Sequence, residues 1–206
     1  MPLRATVYID GFNFYYGCTK GTRYKWLDVA KFCQMMLPNN TIGNIRYFTA
    51  PVVPRPSDPQ QGQRQQTYFR ALRTIPNLSI IEGHFSVNNV RMMKSDGSGT
   101  VQVVKTEEKG SDVNLASYIL TDAYDNLYDV AVIVSNDSDL AYPISYVKNR
   151  LGKIVGLLNP HKNPSVVLMK HKNFYKQIRP SVLAACQFPY MMTDAAGTIH
   201  CPASWR

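Results

Sequence analysis

Residues Val130 to Val134 spell VAVIV, an unbroken apolar run in which four of the five side chains are β-branched. A run of that kind has no solvent-facing side, so it fits a parallel strand covered by helices on both faces. Parallel strands cannot be joined by tight hairpins, and the rest of the chain must therefore alternate strand with helix. Residues 5–9, 45–49, 78–81 and 153–157 read as further short strands. Helical spacing covers residues 27–37, the polar stretch 60–74, residues 111–126, a segment from about Asp139 to Arg150, and a helix after Pro164. Pro143 is tolerable only near a first turn, which places that fourth helix start close to Asp139. The expected architecture is a three-layer α/β/α fold with a mainly parallel central sheet and right-handed crossovers.

Two stretches interrupt the alternation. Residues 51–59 hold four prolines and read as a loop. Residues 85–105 alternate around Ser95-Asp96-Gly97-Ser98-Gly99 and read as a β-hairpin insertion. The length of 206 residues suits one domain, drawn as residues 1–180 with the hairpin inside it, followed by a C-terminal extension over residues 181–206. Pro180 is assigned to a loop, and the tail from Gln187 is read as irregular or as a hairpin.

The formal net charge is +9, which favours polyanionic partners. The four cysteines, Cys18, Cys33, Cys186 and Cys201, form no CxxC pair and no zinc spacing, and are read as reduced thiols of a cytoplasmic protein. No apolar run approaches the ~20 residues of a membrane span, and the amino terminus lacks a signal-peptide core.

In parallel α/β sheets ligands bind beyond the carboxyl ends of the strands, and acidic residues of this chain stand there. Asp10 follows the first strand, Asp137 and Asp139 follow VAVIV, and Asp112 heads the helix leading into it. Carboxylates brought together repel one another unless a cation joins them. Oxygen ligands select Mg²⁺ or Mn²⁺ over zinc, and such an ion polarises a phosphodiester and activates water. Asp10 and Asp137 are the expected direct ligands. Asp112 and Asp139 are expected to bind directly or through water, and Asn13 to orient water or a phosphate oxygen. The competing reading makes Asp112 (or Ser111) and Asp139 helix caps, Asp10 a turn residue and Asp137 an Asx turn. No residue reads as a dedicated general base.

Other side chains are assigned around this cluster. Lys109 could meet a phosphate, although a solvated turn lysine fits better. Glu107 and Glu108 are nearby acids, and Glu108 could act through water. Phe14 or Tyr16 could stack on a base, with Phe12 and Tyr15 in the core. Arg64, Gln65, Tyr68 and Arg70 could line a substrate groove. His84, His161, His171 and His200 are scattered and suggest no triad, so Ser135 and Ser138 lack the partner that a nucleophilic serine needs. A haloacid-dehalogenase-type phosphatase would need an acid at Phe12, and neither GxGxxG nor a Walker lysine motif is present.

Three motifs in order carry a family resemblance. Tyr8-Ile9-Asp10-Gly11-Phe12-Asn13 resembles the opening motif of NYN domains, the LabA-like group of the PIN-like nuclease superfamily. Lys109-Gly110-Ser111-Asp112-Val113 is similar to the group's KGxDV motif, and Val134-Ser135-Asn136-Asp137-Ser138-Asp139-Leu140 to its SxDxDF motif. Leu140 stands where phenylalanine is usual and Asn136 where glycine is common; neither change removes an acid. The resemblance implies a PIN-like, Rossmann-like α/β/α fold and divalent-metal ribonuclease activity on RNA, with Asp10, Asp112, Asp137 and Asp139 as the acidic site and Asn13 beside them. The alternative is a catalytically weak RNA-binding or regulatory module using the same cleft. Hairpin and tail are the candidate homodimer contacts.

Overall fold

The computed structural model describes residues 1–54 and 56–206; Arg55, inside the proline-rich stretch, lies outside the described residues. Its centre is a six-stranded sheet in the order β3 (Leu78–Glu82), β2 (Asn40–Thr49), β1 (Leu3–Asp10), β6 (Val130–Val134), β7 (Ile154–Asn159) and β8 (Phe174–Gln177). Every pairing in it is parallel. From β1 the chain steps outward through β2 to β3, and from β6 it steps outward the other way through β7 to β8. The strand order therefore reverses between β1 and β6, the place where such sheets open a crevice at their carboxyl ends.

Strand alternation divides the core into two layers. Ala5, Val7 and Ile9 of β1, with Val130, Val132 and Val134 of β6, pack under α2 (Val29–Met36), α3 (Gln61–Leu72) and α7 (Pro180–Ala185). Tyr8, Ala131 and Ile133 face the other way, onto α4 (Ser111–Tyr124) and α5 (Ala141–Asn149). All five residues of β6 are buried, as expected for a strand covered on both faces.

A buried ion pair pins α4 to the sheet. Arg46 on β2 reaches both oxygens of Asp122 at 2.9 Å, and the Tyr8 hydroxyl donates to Asp122 Oδ2 at 2.9 Å. The Arg46 guanidinium also lies 4.7 Å from the Tyr118 ring centre.

Several sequence expectations are corrected. The stretch 174–177 pairs with β7 as an edge strand that short polar-flanked sequence did not reveal. Pro180 opens α7 at its first turn, where a missing N–H costs nothing. The hairpin is longer than expected, with β4 (His84–Met93) and β5 (Thr100–Lys109) paired through Lys109. Of the two readings of the tail, the hairpin is the one found, made of β9 (Met191–Asp194) and β10 (Gly197–His200), and Ile199 and Cys201 are buried against the α3 layer. Among the described residues no helix is long and apolar enough to cross a membrane.

Candidate functional site

Asp10 is the last residue of β1, at the strand-order reversal. The adjacent register pairs Ile9 with Val134, which sets Asp10 beside Ser135. The Ser135 hydroxyl donates to Asp10 Oδ2 at 2.9 Å, and the Asn13 backbone N–H donates to Oδ1 at 2.9 Å. The carboxylate is only 5% exposed. Burial pushes its pKa up to about 6; Asp112 and Asp137 add to the rise, against the opposing pull of the two hydrogen bonds. A buried acid lifted this way lacks a countercharge.

Asp137 follows β6. Its Oδ1 accepts the Asp139 N–H at 3.0 Å and caps the 3₁₀ turn of Ser138–Leu140, while its own N–H donates to Ser135 Oγ at 3.1 Å. The cap is thus Asp137, and Asp139, assigned a cap position from sequence, is exposed in the turn that follows. Asp112 is not a cap either. The N-cap of α4 is Gly110, at φ 98°, a left-handed conformation that favours glycine. Glu108 supplies the missing cap from outside: its Oε1 accepts Ser111 N–H at 3.1 Å and the Ser111 hydroxyl at 2.5 Å. Asp112 is left with no hydrogen bond or ion pair among the described residues. Its pKa is raised by partial burial first, and then by Asp137, Glu108 and Asp139. Because Glu108 fixes the helix start that carries Asp112, Glu108→Ala is expected to lower the unfolding free energy by about 1–2 kcal/mol. Urea denaturation reads this, and an unchanged midpoint would show that the two bonds do not hold the helix.

These acids line one cleft of about 290 Å³: Asp10, Asp112, Asp137 and Glu108 on its walls, with Asn13, His161, Phe12 and Tyr16. No lysine or arginine lines it among the described residues. Asp139 lies outside the lining and acts on it through its charge. A second concavity, of about 280 Å³, opens near the start of β2 and carries no ionisable side chain. Among the described residues no three His, Cys, Asp or Glu side chains stand close enough to hold an ion by themselves. The donor set suits an oxygen-seeking cation that keeps part of its water shell, with Asp10 and Asp137 nearest the strand ends.

The remaining expected residues divide. Tyr16 lines the cleft and is 53% exposed. Phe14 is buried against Phe32, and Phe12, expected in the core, instead reaches the cleft and packs edge-on against Phe85 of β4. Tyr68 is corrected: it is buried between Trp26, Tyr47 and Trp205, and its hydroxyl donates to the Leu27 carbonyl. Gln65 holds the backbone of Ala50 and Val52, Arg64 pairs with Asp58, and Arg70 is clamped on Asp194. Lys109 pairs with Glu107 at 3.0 Å and does not line the cleft. His161 and Glu108 are the cleft residues that sequence reading underrated. Asn159-Pro160-His161 stands just past a sheet strand, so the same strand-end rule marks His161 once β7 is carried to Asn159.

The NYN domain model matches residues 4–178. The chain belongs to the NYN domain family. This NYN protein is 34% identical over 239 aligned positions to the 6-hydroxy-3-succinoylpyridine 3-monooxygenase HspA of Pseudomonas putida (strain DSM 28022 / S16), an alignment covering 99% of this chain and 76% of that protein. Its fold is similar to the crystal structure of a protein of unknown function from Vibrio parahaemolyticus RIMD 2210633, with a TM-score of 0.59 at 18% identity over 87% of this chain and 94% of that one. The NYN family places the chain in the PIN-like nuclease superfamily, and the three motifs quoted above fall inside the matched residues.

Proposed function

We propose that this NYN protein is a ribonuclease that hydrolyses RNA phosphodiester bonds internally, with Mg²⁺ or Mn²⁺ held by Asp10 and Asp137 and assisted by Asp112 and Asp139. One observation carries the reading: Asp10, nearly closed to solvent, is crowded by Asp112 and Asp137 in a cleft that no lysine or arginine lines among the described residues. Such an arrangement is costly for a metal-free protein and favourable for one that recruits a cation. When bound, the ion offsets charge on the phosphate and activates water. Ser135 and the Asn13 N–H keep Asp10 in one rotamer, and the Asp139 N–H does the same for Asp137. Tyr16 offers an exposed ring to an unpaired base, and the net charge of +9 favours approach of a polyanion.

A circular single-stranded RNA, incubated with the purified protein and Mn²⁺ or Mg²⁺, is expected to be opened and then shortened, and to survive in a chelator. Survival of varied RNAs in both metals sinks the hydrolytic reading; if the protein still retains them on a filter, the RNA-binding alternative takes its place. The Pseudomonas relative supplies a second reading, supported by its identity along nearly the whole chain: oxygenation of a hydroxylated pyridine bearing a succinoyl carboxylate. That compound and RNA are both anions, and a cation held in this acidic cleft would favour the binding of either. Oxygen uptake on adding the pyridine together with a two-electron, hydride-donating reductant, which supplies the electrons that reduce the second oxygen atom to water, separates the two.

A further inference from the structure

The cleft holds one imidazole, and an unusual share of the polar interior is devoted to placing it. His161 lies two residues beyond Asn159, the buried end of β7. Its backbone N–H donates to Asn159 Oδ1 at 3.1 Å, and its carbonyl accepts from Asn159 Nδ2 and Gln177 Nε2, each at 2.7 Å. Gln177 ends β8 and is held in turn by the Tyr175 hydroxyl at 2.6 Å. The last two strands of the sheet thus fix the peptide of a single loop residue.

The ring is fixed separately. His161 Nε2 lies 2.9 Å from Asn13 Oδ1, and the Asn136 backbone N–H reaches the same atom at 3.0 Å. A backbone N–H can only donate, so the Asn13 atom between them is the amide oxygen, and His161 Nε2 must carry a hydrogen. In the neutral ring the lone pair then belongs to Nδ1, which has no protein partner among the described residues. The Cδ2–Nε2 edge is packed against Gly17, where a Cβ would come within 3.0 Å of both atoms. Gly17 sits in a π-helical turn, Tyr15–Thr19, a rare form that accumulates at functional sites. Nδ1 is across the ring from that packed edge, on a side chain that lines the acidic cleft.

We propose that His161 is the general base of the hydrolysis, with Asn13 as its orienting residue. The proposal rests on the ribonuclease reading. Nδ1 takes a proton from the attacking water as the water oxygen bonds to phosphorus. The bond from phosphorus to the departing ribose oxygen breaks, that oxygen takes a proton from solvent, and the imidazolium returns its proton to solvent. The arrangement follows the general logic of a base whose second nitrogen is held by a third group.

His161→Gln separates catalysis from scaffolding, because the glutamine amide can still donate to Asn13 but offers no base at the Nδ1 position. With Mn²⁺ and a quenched RNA oligonucleotide, kcat of this variant is expected to fall about 100- to 1,000-fold, with KM changed less than about threefold and the melting temperature retained. His161→Ala is expected to regain activity in proportion to added imidazole, and not with salt of equal ionic strength. A glutamine variant within about threefold of wild-type kcat overturns the base while leaving the ribonuclease reading intact, as does an alanine variant that imidazole fails to rescue. Wild-type protein inert towards RNA removes both.

Discussion

Asp122→Ala is expected to lower the unfolding free energy by about 3–5 kcal/mol, a large part of the stability of a domain this size. The mutation does more than delete an attraction. It leaves the Arg46 guanidinium, with only 18% of its side chain exposed, facing a void, and strands the buried Tyr8 hydroxyl under α4. An uncompensated buried cation and an unsatisfied hydroxyl each carry a desolvation cost that water met in the unfolded chain. The double change Arg46→Met with Asp122→Leu removes both charges together and is expected to lose less, the stranded Tyr8 hydroxyl being the cost that remains, because apolar side chains of similar volume replace a buried pair at little cost. Urea titration with fitted midpoints reads the series. A single mutant within about 1 kcal/mol of wild type would mean that the pair is solvated in a way its burial does not suggest.

Nothing along the sequence marks Asp122, and the reason shows which parts of this molecule can be read linearly. VAVIV announced a covered parallel strand because a continuous β-branched run satisfies few other environments. Asp10, Asp112 and Asp137 were legible for a related reason: strand ends and the heads of returning helices converge on one edge, whatever the intervening chain does. Asp122 gives no such signal. It occupies a helix position one would assign to solvent, and becomes structural only through Arg46 and Tyr8, distant in sequence. Tyr68 misled in the opposite direction. Its helix is polar on average, and the arginines around it suggested a groove, yet Tyr68, Phe69 and Leu72 form the narrow buried stripe of that helix. Helix caps failed likewise, since Glu108 reaches back from the hairpin to start α4 and takes the role that Ser111 or Asp112 seemed made for. His161 reads as one of four scattered histidines because spacing along the chain does not show which loops meet. Its partner Asn13 lies across the sheet, and only the strand-order reversal between β1 and β6 brings their loops together.

On the proposed reading, Asp10→Asn should abolish RNA cleavage and yet yield a more stable protein when no divalent cation is present. Losing a carboxylate at the cation site is expected to cost on the order of 1,000-fold in rate, from several kcal/mol of lost charge stabilisation at 1.36 kcal/mol per factor of ten. The stability gain follows from linkage. The Asp10 carboxyl titrates near its ordinary range in the unfolded chain but at about 6 in the folded one, chiefly through burial. Between those values the folded state binds more protons, so stability falls as pH rises through the window, and above about 6 the whole cost is present. With about two pH units between the two states the cost is about 1–3 kcal/mol. Asparagine removes it while its amide oxygen still accepts the Asn13 N–H that starts α1 (Gly11–Phe14). In chelator the variant should therefore melt above wild type at pH 8, and the two curves should meet near pH 4. Added Mn²⁺ should raise the melting temperature of wild type, because a ligand of the folded state stabilises it by mass action, and leave the variant nearly unmoved. Wild type more stable than the variant at pH 8 in chelator would mean that the hydrogen bonds from Ser135 and Asn13 outweigh burial and repulsion. Asp10 would then be a structural cap, and the cation site would lose its main physical support.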